Sequence, residues 1–159
     1  MKRKLCRWLL MIFLLPLATG FYCHRPLVYT PDIVLKEDGL PCISIPLNEV
    51  SFFNKEKQFD IIVTRIFQVG VGTLWEKEYY DIRNLDLPSK YHVQVGQCLR
   101  FEYHFQENIT YSIMFVSTVR GNDESKSFTK KIWGRDFRIK KDTDGTVKLL
   151  LDLDARENK

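Results

Sequence analysis

Apolar and polar residues alternate with a period of two along much of this chain, the pattern of strands that turn one face to a core and the other to water. In Tyr91-His92-Val93-Gln94-Val95 the odd positions are apolar and the even ones polar. Beyond Gly96-Gln97, the run Leu99-Arg100-Phe101-Glu102-Tyr103-His104-Phe105 repeats the alternation. Ile109, Tyr111, Ile113 and Phe115 line one face of the next predicted strand, with Thr110 and Ser112 opposite. Phe59, Ile61, Val63 and Phe67 form an earlier stripe interrupted by Arg65. Val147, Leu149, Leu151 and Leu153 form a late one, opposed by Thr146, Lys148 and Asp152. Shorter candidates are Asp32–Lys36, Leu40–Ile45, Thr73–Tyr80 and Phe137–Lys141.

No stretch of about 10 to 12 residues combines helical spacing with caps. Asp144-Gly145, between Phe137–Lys141 and Thr146–Leu151, predicts a two-residue hairpin of type I′, which needs positive φ at both central residues. Gly70, Gly72 and the set Gly121-Asn122-Asp123 mark further turns. The expected fold is all-β: an antiparallel, immunoglobulin-like β-sandwich of about seven or eight strands. A small barrel is the alternative.

The first residues break this pattern. Lys2, Arg3, Lys4 and Arg7 precede an apolar run from Trp8 to Leu17, and Ala18-Thr19-Gly20 supplies small residues where a signal peptidase cuts. That order is a secretory signal, and the run falls short of the roughly 20 apolar residues of a membrane span. The expected organisation is a signal peptide over residues 1–22 and one β-sandwich domain over 23–159. An uncleaved N-terminal anchor is the competing reading. The signal also accounts for the charge. The chain has 24 Lys and Arg against 20 Asp and Glu, but residues 1–22 hold four of the basic residues and none of the acidic, so the remainder balances. A nucleic-acid binder shows a net basic footprint, and this domain has none.

Cys6 lies in the signal, leaving Cys23, Cys42 and Cys98, an odd number in an oxidising compartment. Cys42 and Cys98 each open a predicted strand on its less apolar face, so a bond between them is expected; two buried free thiols are the alternative. Closing that loop of about 57 residues stabilises a fold by roughly 4 kcal/mol in the loop-entropy account. Cys23 stands just beyond the apolar segment, where bacterial lipoproteins carry an acylated cysteine. Either it is lipidated and tethers the domain to a membrane, or cleavage after Gly20 leaves it as a thiol near the new N-terminus.

Candidate chemistry is sparse. His24 lies near the mature start, while His92 and His104 occupy polar strand faces, where solvated histidines are the common case. Glu76 and Glu78 share one strand face, with Asp81 close in sequence, and read as a solvated charged surface. Asp142-Thr143-Asp144-Gly145 resembles part of a calcium loop, but Lys140 stands at the first carboxylate position and no Glu closes it. There is no phosphate-binding glycine loop and no Gly-x-Ser-x-Gly elbow. Asn108-Ile109-Thr110 satisfies the glycosylation triplet, which carries meaning only in a eukaryotic secretory route. The reading is therefore not an enzyme, with no metal and no cofactor. Phe52, Phe53, Trp75, Tyr79, Tyr80 and Trp133 fall in predicted edges and loops and are the candidates for partner binding, since aromatic side chains anchor interfaces. Completion of the core is the competing role for each.

Several blocks carry a family resemblance. Arg25-Pro26-Leu27-Val28-Tyr29, Gly39-Leu40-Pro41-Cys42-Ile43-Ser44-Ile45-Pro46, Val95-Gly96-Gln97-Cys98-Leu99, Tyr103-His104-Phe105 and Thr110-Tyr111-Ser112-Ile113 follow in order. Together they resemble the type VI secretion system immunity periplasmic lipoproteins of bacteria. The resemblance implies a periplasmic location, a lipid-anchored N-terminus, a β-sandwich and protection against a toxin delivered by neighbouring cells. The chain departs from the pattern in the bulky Phe21-Tyr22 before Cys23, and in Lys126–Arg138, which has no counterpart there. The expected function is an exported immunity protein that neutralises a cognate toxin by stoichiometric binding. A structural or adhesive cell-envelope domain is the alternative, and a small hydrolase using His92 or His104 is a third reading.

Overall fold

The longest strands arise where apolar residues sit on alternate positions over the longest runs. The computed structural model describes residues 26–49, 58–79, 91–120 and 128–157. Within them, β1 is Val28–Tyr29, β2 Asp32–Leu35, β3 Pro41–Ser44, β4 Gln58–Gln68, β5 Gly72–Glu78, β6 His92–Gln94, β7 Thr110–Arg120, β8 Phe128–Lys141 and β9 Val147–Leu151. A 3₁₀ turn spans Leu47–Glu49, and a five-residue helix, α1, spans Asp152–Arg156. The fold is all-β and sandwich-like, as the alternation predicts.

Strands β8, β7 and β4 form the antiparallel centre of a seven-stranded sheet. Each outer flank is shared by two short strands. On one side β6 pairs with the start of β4 and β5 with its remainder. On the other, β9 pairs antiparallel with the end of β8, while β1 pairs parallel with its middle through Val28↔Ile132 and Tyr29↔Trp133. The second layer is the β2–β3 hairpin, extended by the chain after β6. Gly96 donates its N–H to Ile45 O at 2.8 Å, Leu99 to Ile43 O at 2.7 Å, and a disulfide joins Cys42 to Cys98 with Cα atoms 5.0 Å apart.

Between the layers lies the core. Phe59, Ile61 and Ile66 of β4, Tyr111, Ile113 and Phe115 of β7, and Trp133, Phe137 and Ile139 of β8 meet Ile33, Ile43, Ile45, Leu99 and Phe105 of the other layer. Aromatic edges meet faces through much of it: Phe105 lies 5.3 Å from both Tyr111 and Phe137 between centroids. Such pairs add packing energy beyond the area they bury.

Four details depart from the sequence reading, each for a local reason. A register shift between Ile61 and Val63 inserts a residue into β4. Phe59 and Ile61 therefore face the core, whereas Val63, Arg65 and Phe67 face the other side, because one extra residue in a period-two strand exchanges its faces. The predicted Leu99–Phe105 strand keeps its alternation but belongs to no ladder; the Leu99 bond to Ile43, the disulfide and ring packing on Tyr111 and Phe137 hold it. The stripe through Leu153 ends at Leu151, where Asp152 adopts φ 54° and the chain turns into α1, a helix the spacing does not predict. The Asp144-Gly145 hairpin forms, but only Gly145 has positive φ (87°), so its turn is not type I′. Asp142 and Thr146 close it, Asp142 N–H donating to Thr146 O at 2.8 Å.

Candidate binding groove

The same β4 irregularity builds the most distinctive surface. It places Phe67 on the outer face of the large sheet, opposite Ser112 of β7 and beside Met114. Across β7, Met114 is paired with Gly134 of β8. Gly134 sits mid-strand, where glycine weakens a strand and commonly marks close approach by another group. A Cβ there would come within 3.1 Å of Val28 Cγ1. The bare backbone is thus the floor of a depression, with Val28 of β1 as one wall.

Helix α1 supplies the opposite wall through Asp152, Leu153 and Arg156. The open groove between them has a volume of about 420 Å³. Its two aliphatic lips are turned to solvent: Val28 is 53% exposed and Leu153 75%. The polar border is made of two internal ion pairs. Arg135 forks onto Asp152, with Nη2 at 2.9 Å from Oδ2 and Nε at 3.2 Å from Oδ1. Arg156 Nε donates to Asp136 Oδ2. Two guanidinium and two carboxylate groups compensate each other, so the groove offers no unbalanced charge to a small ion.

Trp133 corrects the partner-binding reading. It is wholly buried, stacked on Phe115 with centroids 5.7 Å apart, and its Nε1–H donates to Ser117 Oγ at 2.8 Å. A side chain so enclosed belongs to the core. Trp75 is half-buried, edge-on to Phe101 at 5.8 Å; Tyr79, also half-buried, packs on Tyr91 at 4.7 Å. Burial pushes the Tyr91 hydroxyl pKa up, partly opposed by the Arg100 N–H that it accepts at 2.6 Å. Phe52, Phe53, Tyr80 and the lipidation candidate Cys23 lie outside the described residues, as does the signal segment. The structure brings Cys42 and Cys98 together as expected.

His92 Nδ1 lies 2.6 Å from Asp60 Oδ1 across the β4–β6 pairing, and His104 is exposed. Among the described residues no group of three or more His, Cys, Asp or Glu is placed to hold a metal. Also among them, no helix is long and apolar enough to cross a membrane.

Residues 28–142 match the model of a family described as a domain of unknown function (DUF7480). The match runs from β1 through β8, so it takes in the groove's floor and its Val28 wall. No curated protein and no solved structure matches the chain.

Proposed function

Since the chain belongs to the DUF7480 domain family, whose description names no activity, we propose its function from the outer face of the sheet. It is an exported bacterial immunity protein that neutralises a type VI secretion toxin by one-to-one binding, with the groove over Gly134 as the docking face. The observation that carries this reading is the pairing of an apolar floor with a charge-compensated border. A compensated border favours an apolar side chain bracketed by polar groups, the anatomy of a protein–protein contact with an apolar centre and a polar rim. The partner is therefore a toxin surface that projects an aromatic or long aliphatic side chain.

Two further features support the compartment. The Cys42–Cys98 disulfide suits an oxidising environment, and the first 22 residues have the order of a secretory signal. An acylated Cys23 lies five residues before Val28, which at about 3.3–3.6 Å per residue keeps β1 within roughly 18 Å of a membrane surface.

Co-expression and co-purification with toxins encoded beside its gene tests the reading. Gly134→Leu fills the groove and weakens toxin binding at least about 30-fold, the scale of an interface hot spot. Unchanged affinity in a folded Gly134→Leu protein would remove the groove from the account. Survival of a strain lacking the gene, in contact with toxin-delivering sister cells, would remove the immunity role.

A further inference from the structure

Helix α1 is attached to the sheet in an unusual way. It has five residues, far too few to be helical alone. It starts from a left-handed Asp152, and Leu151 before it offers no side-chain cap. A helix normally binds a sheet by burying an apolar stripe. Here the one large apolar side chain, Leu153, points to water, and only Ala155 is buried.

Polar groups provide the attachment instead. Arg135 holds Asp152, and Asp136 holds Arg156. Thr110 Oγ1 donates to Ala155 O at 2.8 Å. Arg138 Nη2 donates to Asp154 O at 3.3 Å and to Glu157 O, carbonyls at the end where a helix leaves its acceptors unmatched. Three charged residues of β8, Arg135, Asp136 and Arg138, thus grip a helix that contributes one wall of an open groove. The helix side of each ion pair is open to water, the Asp152 and Arg156 side chains being 55% and 60% exposed, so salt weakens their hold on Arg135 and on the buried Asp136, while the apolar core beneath is unaffected.

We propose that α1 is an ion-held strap on the groove: it lifts from the sheet as a unit while the sandwich stays folded, and its lifting widens the face offered to a partner. The functional half of this statement rests on the groove being the docking face. The mechanical half is a property of the chain alone.

Hydrogen exchange on the full processed protein, without any partner, tests it. Arg156 at the end of α1 and Glu157 just after it, whose N–H bonds Leu153 O, are the amides to follow, with Ile113 and Trp133 as reporters of the core. At about 1 M salt, where the screening length falls to about 3 Å, the α1 amides exchange at least about tenfold faster than at low salt. The core reporters hold their rate. Asp136→Asn accelerates the same α1 amides at low salt. Peroxide oxidation of Met114, on the groove floor, quickens in parallel with α1 opening. The proposal is overturned if α1 and core amides exchange in step, or if α1 exchange ignores both salt and Asp136→Asn. Since no toxin enters the experiment, a negative result here leaves the docking reading to its own binding test, and the reverse holds too.

Discussion

At the scale of single residues, Trp133 separates packing from recognition most sharply. Its indole fills the core and satisfies Ser117, itself buried. Trp133→Phe leaves that hydroxyl without its donor, and chemical denaturation should record a loss of about 1–3 kcal/mol from the unpaired group. Ser117→Ala on the same background should recover part of it. Asp142 gives a test in solution. The Lys148 ammonium, at 2.6 Å, holds its carboxyl below the ordinary value of 3.8. A depressed folded pKa means the pair's contribution is present above the unfolded value and lost as pH falls through the folded one. NMR titration of Lys148→Ala should therefore find the Asp142 midpoint moved upward. The Cys42–Cys98 bond, expected from equivalent positions on two alternating segments, forms even though the segment at Cys98 joins no ladder. Sequence alone misplaced Trp133 because Gly134-Arg135-Asp136 hides the stripe that contains it.

Among the elements, β4 and β8 carry what alternation could not express. A single inserted residue between Ile61 and Val63 reverses the faces of the later half of β4, and nothing in the local composition announces it. The 14-residue β8 places Trp133, Phe137 and Ile139 on its inner face, but Lys131 and Arg135 fall between them and find Glu49 and Asp152, so its first half reads as a charged loop until those partners are known. The segment from Leu99 to Phe105 is the converse case, alternating like a strand without a ladder. Its attachment depends on the disulfide and on Phe101 and Phe105, which pack on Trp75, Tyr111 and Phe137 of the large sheet. Replacing Cys42 and Cys98 together by alanine should cost about 4 kcal/mol in equilibrium unfolding. Amide exchange should rise first between Leu99 and Phe105, with β7 and β8 following only on global unfolding.

For the molecule as a whole, fold class was readable because it is the sum of many short patterns that agree. The groove was not, because its surface gathers side chains from β1, β4, β7, β8 and α1, brought together by register and not by sequence proximity. Charge behaves differently again. The whole chain has an isoelectric point near 8.8, and that excess resides in residues 1–22. On the proposed export route, loss of residues 1–22 should leave a protein that focuses close to neutrality; a protein that focuses near 8.8 would argue that the segment is retained.

The parallel pairing of β1 with β8 has a mechanical meaning. Any pull on the N-terminal end of the domain reaches Val28 and Tyr29 before it reaches a long strand, and those two residues are tied to β8 by a ladder only two pairs long. Tension would peel this short ribbon away while the three central strands kept their register. Peeling it would carry Val28 off the bare backbone of Gly134, so tension at that end would be felt, first of all, as a change in the shape of the depression beside it.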